Sequence, residues 1–263
     1  MTYSGTKNRF GQSRLDDGKS IVCSNTRLDL PQSKQSQAVK ALQLLTSVNL
    51  GLNSERARGM MIERLRAQGI EYEPVLAAMQ QVPRHIFVDQ GLASRAYENN
   101  ALPIGYGQTI SQPFIVARMI ALACYPSKPQ RVLEIGAGCG YQAAVLAQMI
   151  ETVHTIERIY PLYQMAQRYL EALGLKDRVR LKFGDGQLGW EQAAPFDAII
   201  IAAAGKTIPQ NLLHQLAIGG RLIAPIGTTE QRLAYIQRTA PNHWQKHELE
   251  AVRFVPLKSG IQI

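Results

Sequence analysis

The chain has 263 residues, of which 46% are hydrophobic and 19% charged, a balance that is ordinary for a globular protein and too apolar for a disordered one. The formal net charge is +9, but the basic residues are spread along the chain without a long run of like charges. We therefore favour a solvated basic surface and expect no nucleic-acid partner. No stretch of about 18 consecutive apolar residues occurs, so no membrane partner is expected either.

The cysteines and histidines give no sign of a disulfide framework or a metal site. Cys23, Cys124 and Cys139 are few and odd in number, which is typical of a reducing compartment. His243 and His247 stand four residues apart and could share one helix face as metal ligands, but no HExxH motif accompanies them. With a polar N-terminal stretch that lacks a signal pattern, these features predict a cytoplasmic protein without bound metal.

The N-terminal part of the chain differs in composition from the rest. Residues 1–53 are rich in Ser, Gln, Asn, Lys and Gly, and only residues 38–50 are apolar enough for a short helix. We predict a poorly ordered polar extension over residues 1–53, followed by one folded domain over residues 54–263. A targeting arm and a docking peptide are open alternatives for the extension.

Helices open the folded part. Asn53 or Ser54 can cap the first of them, and Gly69 ends it. Pro83 and Pro103 bound a loop-rich stretch. The helical segments that the spacing of apolar residues predicts here are 55–68, 73–81 and about 113–124.

Strands and helices then alternate. Successive β-α-β units predict an α/β fold with a doubly wound, mostly parallel sheet and helices on both faces. The last two strands have no helix between them, so we expect an antiparallel pair at the sheet edge. The predicted strands are 131–135, 152–156, 178–184, 196–204, 221–226, 232–238 and 249–255, and the predicted helices are 140–150, 161–174 and 211–217.

The strongest motif is VLEIGAGCGYQ at residues 132–142, which follows a strand and opens a helix. Gly136 and Gly138 allow a sharp turn and let a ligand approach the backbone without a Cβ in the way. Glu157 ends the next strand, where a carboxylate accepts hydrogen bonds from the ribose hydroxyls of an adenosine group. This combination predicts a site for an adenosine-containing cofactor.

The spacing of the glycines indicates which cofactor. A dinucleotide-binding turn expects a third glycine where Tyr141 stands, whereas the third glycine here is Gly140. The pattern E-x-G-x-G-x-G is similar to the S-adenosylmethionine-binding turn of methyltransferases. Glu134 suits a cofactor with a cationic sulfonium and ammonium better than a pyrophosphate. Asp185 and Gly186 follow the third strand, where such folds place an adenine contact.

The residues at the end of the fourth strand restrict the acceptor. Enzymes that methylate exocyclic amines of DNA bases or glutamine side chains carry an (N/D)-P-P-(Y/F) segment there. Residues 201–205 read IAAAG and contain neither proline nor an aromatic residue. The sequence therefore argues against methylation of base or amide nitrogen.

Several segments are typical of a narrower family. QTISQP is the most distinctive of them, because methyltransferases in general lack it. Together the segments make the chain, from about Arg56 onward, resemble bacterial protein-L-isoaspartate O-methyltransferases. They are VPRHIFV (82–88), ALPIGYGQTIS (101–111) within a stretch that continues to residue 119, VLEIGAGCGYQ (132–142), GDG (184–186), PFDAIIIAAA (195–204) and VRFVPL (252–257).

The resemblance implies a seven-stranded Rossmann-like methyltransferase sheet with S-adenosyl-L-methionine as cofactor. Such enzymes methylate the free α-carboxylate of L-isoaspartyl residues in damaged peptides and proteins. The ester then cyclises to a succinimide that hydrolyses partly to normal aspartate. We expect isoaspartyl-containing peptides and proteins as substrates, and a monomer because no extra interface segment is visible. Because a carboxylate is already ionised at neutral pH, the reaction needs no general base.

The resemblance also carries residue roles. The family's functional serine falls on Ser111, which would orient the substrate carboxylate, although a serine before Pro113 can also be a helix N-cap. Val255 falls on the strand end that walls the substrate cleft, and Cys139 is expected to serve packing. The residues expected to bind the cofactor are Gln108, Thr109, Ile110, Glu134, Gly136, Gly138, Gly140, Glu157, Asp185 and Gly186.

Three other functions stay open on the sequence alone. An RNA or small-molecule methyltransferase would use the same cofactor site together with the basic surface. A non-catalytic binding module would keep the fold and the cofactor without turnover. An NAD-dependent dehydrogenase is a more distant alternative, because the glycine spacing fits it less well.

Overall fold

The computed structural model describes residues 51–263, with side chains from residue 54 onward. The predicted extension, including the short helix within residues 38–50, therefore lies almost wholly outside the described residues. The start of the domain at residue 54 stays a prediction.

Helices and strands follow the predicted order along the chain. The helices are α1 (Gly51–Ala67), α2 (Glu73–Gln81), α3 (Pro113–Cys124), α4 (Tyr141–Leu146), α5 (Tyr160–Ala172) and α6 (Gln210–His214). The strands are β1 (Leu102–Gly105), β2 (Gln108–Ile110), β3 (Arg131–Ile135), β4 (Thr152–Glu157), β5 (Val179–Phe183), β6 (Phe196–Ile201), β7 (Leu216–Gly227), β8 (Gln231–Ala240) and β9 (His243–Val252). Among residues 51–263, no helix is long and apolar enough to cross a bilayer.

The central sheet confirms the predicted fold class. Its seven strands lie in the order β5-β4-β3-β6-β7-β8-β9. The pairs from β5 to β7 are parallel, and β8 and β9 add antiparallel pairs at one edge, as the missing helix between them predicted. The strands in the middle are apolar on both faces, as expected where helices cover a parallel sheet from both sides.

Alternate residues of the central strands belong to two separate hydrophobic cores, one on each face of the sheet. Val132 and Ile200 pack on the face covered by α1 to α5, in a cluster with residues of those helices. Leu133 and Ile199, their neighbours along β3 and β6, pack on the opposite face with Leu212 of α6. This period of two follows from strand geometry, because successive side chains point to opposite faces.

Several predicted boundaries are wrong for identifiable reasons. Helix α1 already includes residues 51–54, so neither Asn53 nor Ser54 caps it. The helix predicted over 211–217 ends at His214, because β7 begins at Leu216 and pairs with β6 across a bulge. The strand predicted over 221–226 therefore begins earlier and includes Gly219 and Gly220, two residues that usually favour turns.

The last strand also differs from its prediction. β9 spans His243–Val252 rather than residues 249–255, and it is an exposed edge strand whose polar side chains hide the usual alternation. His243 and His247 therefore lie on a strand rather than on a helix. Among the described residues, no group of three or more His, Cys, Asp or Glu could hold a metal ion.

The sequence did not predict the short hairpin formed by β1 and β2. Each strand has only three or four residues, and they pair antiparallel around a turn at residues 105–107. Gly105, Tyr106 and Gly107 all have positive φ, and Tyr106 is the one non-glycine residue with this conformation among those described. The hairpin places residues 108–111 above the carboxyl ends of the parallel strands, where ligands bind in open α/β sheets.

Candidate active site

The turn after β3 forms the floor of the site. The amides of Gly136 and Ala137 both donate to the carbonyl of Ile156, at 2.9 and 3.1 Å, which closes the turn against β4. A Cβ at Gly138 would lie 3.2 Å from the Ile104 side chain of the hairpin. A Cβ at Gly140 would lie 3.2 Å from Ala166 of α5, and all three glycines of the turn have positive φ. The glycines therefore serve both the turn and its close packing.

Glu157, at the end of β4, stabilises this turn through hydrogen bonds to backbone amides. Its Oε2 accepts a hydrogen bond from the Gly138 amide at 2.8 Å, and its Oε1 accepts one from the Ile159 amide at 2.8 Å. The side chain is 4% exposed, and burial raises the pKa of the carboxyl while the backbone donors act in the opposite direction. Each carboxylate oxygen can accept a further hydrogen bond, so the group can still receive a pair of ligand hydroxyls.

Glu134 lies deeper in the same cleft and is 0% exposed. The Thr155 hydroxyl donates to its Oε2 at 2.5 Å, whereas its Oε1 has no hydrogen-bond partner among the described residues. Burial raises the pKa of this carboxyl to about 8, against the opposing effect of the Thr155 and Gln142 side chains and with a smaller upward contribution from the nearby Glu157. A buried carboxyl that lines a cleft is suited to a cationic ligand, which would favour its ionised form.

The cleft above these groups has a volume of about 900 Å³, part of it open to solvent. It brings together most of the residues that the sequence assigned to the site, although they come from segments as far apart as the hairpin and the end of β9. The predicted residues that line it are Gln108, Thr109, Ile110, Ser111, Glu134, Gly136, Gly138, Glu157, Gly186 and Val255.

Two predicted residues lie beside the cleft rather than in its lining. Gly140 packs against α5. The Asp185 carboxylate is engaged by the backbone: Oδ1 accepts from the Gln187 amide at 2.8 Å and Oδ2 from the Gly260 amide at 2.6 Å. Gly186 is in the lining, and a Cβ there would lie 2.4 Å from the Ile135 side chain. Only glycine fits this position.

Ser111 stands between β2 and α3 at the rim of the cleft. The N-cap of α3 is Gln112, so the alternative role of Ser111 as the helix cap is wrong. The capping hydrogen bond comes from elsewhere: Asn99 Oδ1 accepts from the Phe114 amide at 3.0 Å. The structure gives the Ser111 hydroxyl no hydrogen bond to any described residue, so it is available to a ligand in the cleft.

The segment after β9 lines the cleft from residue 255 to residue 258, where the resemblance placed Val255, but the sequence did not predict the contacts that hold this segment. We call residues 255–260 the cover segment. It pairs with the loop after β6, where the Ala204 amide donates to the Val255 carbonyl at 2.8 Å and the Leu257 amide donates to the Ala204 carbonyl at 2.7 Å. Arg158 then donates to the Gly260 carbonyl at 2.9 Å. These contacts join residues up to about a hundred positions apart, so no local sequence pattern predicts them.

The comparisons with known proteins agree with this geometry. Residues 56–262 match the family model described as protein-L-isoaspartate(D-aspartate) O-methyltransferase. A Bordetella parapertussis protein-L-isoaspartate O-methyltransferase is 60% identical over 249 residues, which cover 95% of each chain. The enzyme of that name from Burkholderia mallei is 54% identical over 231 residues, 87% of this chain and 71% of the relative.

Solved structures give the same result at lower identity. One protein-L-isoaspartate O-methyltransferase aligns with a TM-score of 0.71 at 26% identity, covering 78% of this chain and 67% of the other. A Plasmodium falciparum protein, described as a candidate protein-L-isoaspartate O-methyltransferase in complex with S-adenosyl-L-homocysteine, aligns with a TM-score of 0.66 at 26% identity. That alignment covers 76% of this chain and 98% of the other.

Replacing Glu134 by Gln should stabilise the protein more at pH 8 than at pH 5 when no ligand is added. The folded state holds the proton of Glu134 up to a pKa of about 8, against an ordinary value of 4.5, so its contribution to stability is lost as the pH rises through that window. Each pKa unit corresponds to about 1.4 kcal/mol. Urea denaturation at pH 5, 6.5 and 8 measures the difference. Glu191→Gln, at an exposed position, is the control, and a pH-independent difference for Glu134→Gln would contradict the assignment.

Proposed function

The chain belongs to the protein-L-isoaspartate(D-aspartate) O-methyltransferase family, and from this premise we propose how its cleft performs the reaction. The protein is an S-adenosyl-L-methionine-dependent methyltransferase that methylates the free α-carboxylate of L-isoaspartyl residues in proteins, the first step of their repair through a succinimide. The observation that carries our proposal is that residues 108–111 and the glycine turn, which are far apart in sequence, line one cleft.

The residues of the cleft fit the cofactor. S-adenosyl-L-methionine supplies a methyl group on a sulfonium, and it also carries an ammonium group and a ribose with two hydroxyls. Glu157, at the carboxyl end of β4, accepts hydrogen bonds from the ribose hydroxyls with the lone pairs that the backbone leaves unused. Glu134, which also lines the cleft, would balance the positive charge of the methionine end. The glycine turn leaves room for the cofactor between them.

The residues beside the adenine end act more indirectly. Gly186 lines the cleft, and because it has no Cβ the loop after β5 can pack directly against Ile135. Asp185 holds the loop after β5 and the cover segment together through Gln187 and Gly260, and we propose that it shapes the adenine site in this way.

Ser111 is the residue that we assign to the substrate. Its hydroxyl donates a hydrogen bond to one oxygen of the isoaspartyl carboxylate and so orients the other oxygen towards the methyl group. It does not act as a nucleophile, since the carboxylate itself attacks. The first turn of α3 lies directly after Ser111, and the positive end of the helix dipole favours an anion at this place.

Catalysis then requires alignment and exclusion of water rather than proton transfer. The substrate carboxylate is ionised at neutral pH, so no base is needed to activate it. Proximity and orientation can supply up to about 7–11 kcal/mol of a barrier. Val255 and the rest of the cover segment wall the cleft on the side where the substrate peptide lies, which removes water from the carboxylate.

We extend the proposal to the state of the whole chain. Residues 54–263 form the catalytic unit, which acts as a monomer in the cytoplasm without nucleic acid, membrane or metal. Cys124 and Cys139 are buried free thiols, in keeping with a reducing compartment. The exposed edge strand β9 carries Lys246, Glu248 and Glu250, and charged side chains on an edge strand oppose its pairing with a second chain.

A pair of matched peptides tests the reaction directly. One carries L-isoaspartate and the other L-aspartate at the same position, and both are incubated with the full chain and S-adenosyl-L-methionine labelled in the methyl group. We expect label in the isoaspartyl peptide alone, in a form that base hydrolyses as an ester. Label in neither peptide, with cofactor binding intact, would instead indicate an RNA or small-molecule acceptor or a non-catalytic module.

Ser111→Ala should lower kcat for the isoaspartyl peptide by about ten- to a hundredfold, because a hydrogen bond to a charged group contributes about 1.5–3 kcal/mol. Its dissociation constant for S-adenosyl-L-methionine should stay within twofold or so of the wild type, as calorimetry can determine. Ser127→Ala is the control, since Ser127 is exposed in the loop before β3, at the opposite end of the strand from the cleft. Equal kcat for Ser111→Ala and wild type would remove the serine from the mechanism.

Glu157→Ala should weaken cofactor binding by about 1.5–3 kcal/mol, through loss of charge-assisted hydrogen bonds to the ribose and of the support for Gly138. Glu151→Ala removes the same side chain just before the opposite end of β4, where it is exposed, and should change nothing. Isothermal titration with S-adenosyl-L-methionine compares the two variants. An unchanged dissociation constant for Glu157→Ala would exclude Glu157 from the site.

A further inference from the structure

The helix that follows Ser111 is capped by a residue from a different segment. Gln112, the N-cap of α3, makes no capping hydrogen bond with its side chain. Asn99 supplies the acceptor instead, through its contact of 3.0 Å with the Phe114 amide. The first amides of a helix need such an external acceptor, because no carbonyl of the same helix precedes them.

The same stretch of chain also binds the strand before the serine. Leu102, three residues after Asn99, pairs with Ile110, the residue immediately before Ser111. Ser111 is therefore held on one side by the pairing of β1 with β2 and on the other side by the cap on α3. Neither contact uses the serine hydroxyl, so the backbone is fixed and the functional group is left for a substrate.

Asn99 is part of a segment that two arginines hold in place. Residues 96–100, which we call the anchor segment, are not in a helix or strand, yet they are tied by side chains from α1 and from the turn at residues 84–87. Arg84 is 0% exposed, and its Nε and Nη2 donate to this segment, whereas its Nη1 has no hydrogen-bond partner among the described residues. The bonds run from Arg84 Nε to the Ala96 carbonyl at 2.7 Å, from Arg84 Nη2 to the Asn100 carbonyl at 3.5 Å, and from Arg64 Nη2 to the Tyr97 carbonyl at 2.6 Å.

Arg84 connects the anchor segment to the cofactor turn as well. Its guanidinium lies over the Tyr141 ring, 4.9 Å from the centroid. Tyr141 is the first residue of α4, directly after Gly140, and it lines the cleft. The buried Arg84 side chain thus contacts both the anchor segment and Tyr141, the residue that directly follows the glycine turn.

We propose that Asn99 is a positioning residue for methyl transfer: by capping α3 from outside it fixes Ser111 in the cleft and leaves the serine hydroxyl for the substrate carboxylate. Asn99 does not line the cleft, so it acts through Ser111 and not by contact with substrate or cofactor. The inference rests on the function proposed for Ser111.

A double-mutant cycle tests it, with kcat for the isoaspartyl peptide as the readout. Asn99→Ala should lower kcat by about ten- to a hundredfold, the loss expected when a reacting group moves by about an ångström. In a Ser111→Ala background the same substitution should have almost no further effect, because the group that it misplaces is absent. The dissociation constant for S-adenosyl-L-methionine should not change in either background.

Two further variants separate positioning from general destabilisation. Asn99→Asp keeps an acceptor at the same place and should retain kcat within about threefold of the wild type, since Asn and Asp cap helices equally well. Asn100→Ala is the neighbouring control, because the Asn100 side chain bonds only to the exposed Glu98 and the backbone carbonyl is unchanged. It should have the kcat of the wild type.

The outcomes distinguish this proposal from the one on which it rests. Wild-type inactivity towards the peptide, or no effect of Ser111→Ala, would refute the proposed function itself. With that function intact, a normal kcat for Asn99→Ala, an equal loss in both backgrounds, or a failure of Asn99→Asp to restore kcat would each overturn the role of Asn99. If Asn99→Ala does not fold, Asn99→Leu, which keeps the branched shape of the side chain but has no acceptor, replaces it under the same criteria.

Discussion

The site depends on the hydrogen bond between the Glu157 carboxylate and the Gly138 amide. A carboxylate taken out of water is costly unless donors surround it, and here the donors are backbone amides of the turn and of the chain that leads into α5. The turn favours glycines because all three have positive φ, and a Cβ at Gly138 or Gly140 would also lie only 3.2 Å from Ile104 or Ala166. The bond therefore joins β3, β4, α5 and the hairpin in one arrangement.

The two carboxyl groups of the cleft differ in what surrounds them, and this difference separates their functions. Glu157 has two backbone donors, so its carboxylate can stay charged and accept hydroxyls. Glu134 has a hydrogen bond from Thr155 but is fully buried, and burial raises its pKa to about 8, so a cation in the cleft would favour its ionised form. We propose that Glu134 lowers the stability of the protein near neutral pH and in return favours binding of a positively charged ligand.

The sequence predicted the parts of the molecule that are encoded locally. Short-range patterns predict the strand, glycine turn and helix at residues 131–146 and the acid at the end of the next strand. The structure has these elements in that order. The hairpin of β1 and β2 was not predicted because its strands are too short to show a hydrophobic period. Strand β7 begins before the predicted residue 221 because its pairing with β6 outweighs the preference of two glycines for a turn. The cap on α3 and the cover segment join residues far apart in the chain, and no local pattern encodes such contacts.

These long-range contacts also hold the elements that we propose to determine specificity for the substrate. The parallel sheet, the glycine turn and the acid at the end of β4 are what any S-adenosylmethionine-dependent enzyme of this fold requires, and they recognise the cofactor alone. We propose that recognition of a peptide carboxylate comes from elements added to that frame, namely the hairpin with Ser111 and the cover segment, which both line the cleft. Both are held by distant side chains, the first by Asn99 and the second by Arg158 and Asp185. Because the reaction needs no proton transfer, its rate depends on how accurately these two elements are placed. The side chains that hold the two short segments rigidly provide this placement.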